Sequence, residues 1–113
     1  MIILLSKPAT DEDIQNASVH YPNYIKITID IEKELIAIGG EYHADAEKIL
    51  LENGGNSDYI WGGGLDLITG EIETNAIVNI KPKRGNRSTE LLEEKTRNTF
   101  ISIAKQFLTN HAK

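Results

Sequence analysis

Leu35-Ile36-Ala37-Ile38-Gly39-Gly40-Glu41-Tyr42-His43-Ala44-Asp45-Ala46-Glu47 carries the reading of the fold. The compact apolar run Leu35 to Ile38 reads as a short strand. Two glycines then release the chain from the sheet, because glycine readily takes positive φ. The helix formers Ala44, Ala46, Lys48, Leu50 and Leu51 follow, and Gly54 supplies a left-handed closing position. The spacing predicts a helix opening at His43 or its neighbour.

Upstream, Tyr24 to Ile31 alternates. Ile25, Ile27, Ile29 and Ile31 face one way; Lys26, Thr28 and Asp30 face the other. That is a half-buried strand. Glu32-Lys33-Glu34 is a short connector, so this strand and Leu35–Ile38 are predicted to form an antiparallel hairpin. Ile2 to Leu5 is an opening strand. Thr10 is a good N-cap for a first helix, with Asp13 at the capping-box position and Asp11 and Glu12 at the positive helix end.

Downstream, Tyr59–Trp61 and Leu65–Ile68 look like strand pieces around Gly62-Gly63-Gly64. Three adjacent glycines suggest a bulge, a bend or close approach of another backbone. Thr69-Gly70-Glu71 reads as a turn and Ile72 to Ile80 as the returning strand. The last helix is expected from Ser88 or Thr89, with Leu92, Thr96, Phe100, Ile103, Ala104 and Phe107 as its core stripe. The predicted fold is α+β, in the order β-α-β-β-α-β-β-α. It is one domain with a mainly antiparallel sheet of about five strands, and three helices cover one face.

The bulk chemistry narrows the function classes. The 113 residues contain no cysteine, which removes disulfides, thiol catalysis and cysteine-ligated metals. No apolar run approaches the ~20 residues a membrane helix needs, so no membrane role and a cytoplasmic location are expected. The net charge of −5 makes the chain a poor general nucleic-acid binder. Four of the 12 basic residues, Lys81, Lys83, Arg84 and Arg87, nevertheless fall within seven positions.

Two segments could carry chemistry. If the backbone stays extended through Asp45, Glu41, His43 and Asp45 converge like ligands for a divalent metal. If the helix has begun by Ala44, His43 and Glu47 lie one turn apart, and Glu47 can orient the imidazole. Either geometry offers an acid–base pair. The bland alternative makes Asp45 and Glu47 first-turn acids and His43 a cap or a packed ring. In the second segment Arg84 and Arg87 suit phosphate or carboxylate, and Asn86, Ser88 and a helix start would add donors. There the alternative is internal pairing with the chain's surplus carboxylates.

Gly39 to Glu47 together with Asn79-Ile80-Lys81-Pro82-Lys83-Arg84-Gly85-Asn86-Arg87-Ser88 resembles a small prokaryotic family of unknown function. The likeness covers most of the chain. It includes the Asp30-Ile31-Glu32 strand end and the Trp-Gly strand, and it implies no activity and no functional residues. The sequence leads to a polar metal or acid–base site at Glu41, His43, Asp45 and Glu47. Nearby, a loop at Arg84, Asn86, Arg87 and Ser88 would bind a small anionic ligand. The pair would bind or hydrolyse a phosphorylated compound. The competing expectation is a non-enzymatic binding or assembly module. Substrate, metal and oligomeric state are left open.

Overall fold

The structure, a computed structural model, describes residues 1–113. Its elements are β1 (Ile2–Leu5), α1 (Asp11–Ala17), β2 (Tyr24–Asp30), β3 (Leu35–Gly39), α2 (His43–Glu52), β4 (Ile60–Asp66), β5 (Ile72–Glu73) and α3 (Glu94–Phe107). The sheet is antiparallel throughout, with strand order β1-β3-β2-β4-β5. This is the five-stranded α+β arrangement expected from the sequence, in the expected order. No helix is long and apolar enough to cross a membrane.

The β2–β3 hairpin is the centre of the sheet. Ile27 lies opposite Ile38, and Ile29 opposite Ile36. These side chains are fully buried against Phe100, Ile103 and Ala104 of α3 and Ile14 and Ala17 of α1. Each buried isoleucine contributes ~1.5–3 kcal/mol. Helix α1 starts with the predicted capping box: the Thr10 hydroxyl accepts from the Asp13 N–H, and the Asp13 carboxylate accepts from the Thr10 N–H.

The helices do not all cover one face. α1 and α3 share one side, while α2 lies on the other, where Ala46 and Leu50 pack on Ala37 and Ile60. The reason is visible in β3, whose residues are apolar on both faces. As a result Thr28 and Asp30, expected at the solvent face of β2, are fully buried. The Asp30 carboxylate is satisfied there by the N–H groups of Glu32, Lys33 and Asn56, at 3.0, 2.9 and 2.9 Å.

The glycine triplet makes no bulge. β4 pairs with β2 residue by residue, from Tyr24 opposite Asp66 to Asp30 opposite Ile60. The glycines provide room instead. A Cβ at Gly63 would stand 2.2 Å from the Glu73 carbonyl oxygen and 2.9 Å from the Phe100 ring. A Cβ at Gly62 would stand 2.8 Å from the His43 ring.

Two boundaries depart from expectation. β5 ends at Glu73 rather than Ile80, and the chain turns through a single 3-10 turn at Ile77–Asn79. α3 begins at Glu94 rather than Ser88 or Thr89. The intervening residues run extended, because the Leu91 N–H donates to Thr74 O at 3.1 Å and the Ala76 N–H to Thr89 O at 3.0 Å. Leu91 is therefore the buried leucine, and Leu92 is exposed.

Candidate functional site

The exit from β3 sets the site. Gly39 and Gly40 both have left-handed backbone, with φ of 92° and 93°. A side chain at Gly39 would also collide with the Met1 carbonyl, 2.3 Å from its Cβ. The chain thus lifts off the sheet and α2 begins at His43 itself. Because helix geometry starts there, Glu41, His43 and Asp45 do not fan out along an extended strand. Glu41 and Asp45 are exposed, and Glu47 is half-buried one turn along α2. No group of three or more His, Asp and Glu side chains is assembled to hold a metal ion.

His43 stands apart from these acids. Only 8% of it is exposed. Its Nε2 lies 2.7 Å from the Gly63 carbonyl oxygen, reached through the space left by Gly62. A carbonyl only accepts, so Nε2 carries a proton. Burial lowers the imidazole pKa below its usual value; the Gly63 carbonyl partly offsets this, and the Lys26 charge reinforces it. The ring is therefore neutral near pH 7, with its lone pair on Nδ1. The sequence points to Glu47 as the orienting group; the structure gives that part to a main-chain carbonyl of β4.

His43 lines a pocket of about 430 Å³. Lys26 of β2 and Tyr42, His43 and Ala44 at the start of α2 form one side. Asn75, Ala76, Ile77 and Val78 form the other. The Lys26 ammonium sits 5.0 Å from the Tyr21 ring centre and 5.8 Å from that of Tyr24, which fixes its position. Tyr24 donates its O–H to the Glu73 carboxylate, and burial followed by that carboxylate raises the phenol's pKa.

The 75–78 wall is held by two buried asparagines. The Asn79 side chain answers both main-chain groups of Gly62: its Oδ1 accepts from the N–H at 2.8 Å, and its Nδ2 donates to the carbonyl at 2.9 Å. It extends the ladder where β5 has ended. Asn79 Nδ2 also reaches Thr74 O and Thr89 O, at 3.1 and 3.0 Å. Asn86, predicted to bind an anion, is buried in the same network. It donates to the carbonyls of Asn79, Ser88 and Glu90 at 2.7, 3.0 and 2.9 Å, and accepts from the Leu92 N–H at 2.9 Å. The Ser88 hydroxyl accepts from the Glu90 N–H at 3.0 Å.

Arg84 and Arg87 are exposed, and neither pairs with a carboxylate, since the ion pairs within 4.0 Å are His111–Asp11 and Lys113–Glu71. Arg84 stacks 5.0 Å over Tyr59, and Lys81 lies 5.3 Å over Trp61. With α3 starting six residues after Ser88, no helix N-terminus adds donors to this loop. The two motifs meet electrostatically at Lys81. Burial lowers its pKa, and Glu47 and Asp58 oppose that shift.

Sequence reasoning missed Lys26, Asn79 and the 75–78 wall. One signal was present: Asn79 interrupts the apolar run Ala76-Ile77-Val78-Asn79-Ile80, and asparagine is depleted in strands.

No curated protein and no solved structure matches the chain. Residues 3–107 match a family described as protein of unknown function (DUF5674), which spans the sheet, all three helices and both motifs. The chain belongs to the DUF5674 family.

Proposed function

We propose that this domain binds a small anionic molecule in the pocket at His43 and uses that histidine as an acid–base group. One observation carries the reading. His43 Nε2 is anchored on the Gly63 carbonyl at 2.7 Å, which leaves Nδ1 as the ring's basic nitrogen, and the residue lines a walled pocket. A buried neutral imidazole of fixed tautomer can take a proton at pH 7. Arg84 and Arg87, free of carboxylate partners and outside the pocket lining, attract an anion only at long range in this reading.

The test uses an activated ester, p-nitrophenyl butyrate. His43 Nδ1 takes a proton from water, the resulting hydroxide adds to the ester carbonyl, and the tetrahedral adduct expels p-nitrophenolate to give butyric acid. The acid and the imidazolium each then release a proton to solvent, leaving butyrate and the free base. The expected rate saturates with ester, falls on acidification below pH ~6.5 as the imidazole protonates, and is lost in His43→Gln. Equal rates in His43→Gln and the native protein remove the acid–base role. They would leave the second reading, a non-enzymatic module. That reading is favoured by the structural use of Asn86 and Ser88.

A further inference from the structure

Resting on the His43 pocket, we infer the class of its ligand: a small monocarboxylate with an apolar body, seated with its carboxylate toward Lys26 and the start of α2. The charge in the pocket is one-sided. The chain has 17 acidic residues, yet none lines this pocket. Lys26 is its one full charge, and no carboxylate lies within ion-pair distance of it. Lys26 is held by two tyrosine rings rather than by a carboxylate, which leaves its charge open to an anion in the pocket.

The start of α2 adds free donors. Its N-cap, Tyr42, makes no side-chain cap, so the first N–H groups of the helix have no side-chain acceptor. His43 and Ala44, the first two helical residues, both line the pocket. His43, more than nine-tenths buried, lines the same pocket, and because its neutral Nδ1 accepts rather than donates, the carboxylate is left to Lys26 and the helix-start N–H groups. Helix-start N–H groups beside a fixed ammonium form a donor site for a carboxylate.

The opposite wall selects the body of the ligand. Ala76, Ile77 and Val78 are apolar, and no arginine is present to grip a phosphate in a bidentate manner. The volume of about 430 Å³ lies within the range for small-molecule pockets. A short aliphatic or aromatic body fits that lining, whereas a sugar phosphate would leave its hydroxyls unpaired against it.

The experiment titrates the intact protein with hexanoate, its neutral isostere hexanamide and inorganic phosphate, following backbone amide signals by NMR. Hexanoate is expected to move His43, Ala44 and residues 75–78, and to bind about tenfold more tightly than hexanamide, the factor set by one charge-assisted contact. Lys26→Gln should remove that preference. Ile77→Glu, at a residue 79% exposed at the pocket wall, should weaken hexanoate with the fold intact. Lys95→Ala, the same charge loss on α3, should change nothing. Equal affinity for acid and amide, no shift at the pocket, or phosphate displacing hexanoate there would each overturn the inference. The acid–base reading would be untouched, since it is tested on His43 with an uncharged ester.

Discussion

The side-chain amide of Asn79 pairs with the main chain of Gly62 in both directions, as a neighbouring strand would. This lets β5 stop after two residues without orphaning a central part of β4. It also turns residues 75–78 away from the sheet, where they become a pocket wall.

Asn79→Ala should therefore be among the most damaging polar substitutions in the chain. It leaves the Gly62 N–H and several carbonyls buried without partners, at about 1–3 kcal/mol for each group. Asn79→Asp keeps the acceptor but loses the donors and buries a charge, so it should not rescue. Urea denaturation measures this, and a loss under ~1 kcal/mol in Asn79→Ala contradicts the pairing.

Gly62→Ala probes the same junction from the other strand. Its Cβ would stand 2.7 Å from Ala76 Cβ, 2.8 Å from His43 Cδ2 and 3.0 Å from Val78 Cγ2. Overpacking of this kind costs ~1–3 kcal/mol. The His43 ring must yield, so His43 ring signals should shift. Unchanged ring signals would place the imidazole elsewhere.

Phe100→Ala should destabilise by ~3–5 kcal/mol, because the ring is fully buried and fills the space above Gly63. An unchanged melting temperature contradicts that packing.

The fold was legible because its signals are local. The β2 alternation, the Thr10–Asp13 capping box and the Gly39-Gly40 exit each follow from neighbouring residues. What was hidden depends on contacts distant in sequence. The 88–92 segment reads as a helix start, yet it pairs with 74–76 and stays extended. The burial of Thr28 follows from α2 crossing the second face, which β2 alone does not announce. His43 could be singled out from sequence, but its partner is a backbone carbonyl 20 residues away, which no side-chain pattern reveals.

The His43 shift also fixes a pH dependence. Its folded pKa lies below the unfolded value of ~6.5, so between the two the unfolded chain binds the extra proton. Stability then rises with pH across that window, is fully present above ~6.5, and is lost as pH falls toward the folded pKa. Native protein should lose melting temperature from pH 7 to 5 more steeply than His43→Gln. Parallel profiles, or a steeper slope in the variant, contradict a buried neutral imidazole.

The most direct test of the account is the protonation state of His43 in the free protein, read from its two ring nitrogens by long-range ¹H–¹⁵N correlation across a pH titration. Nε2 is expected to be protonated and Nδ1 unprotonated at pH 7, with a titration midpoint below the ordinary ~6.5. A proton on Nδ1, or a midpoint at or above that value, would contradict it.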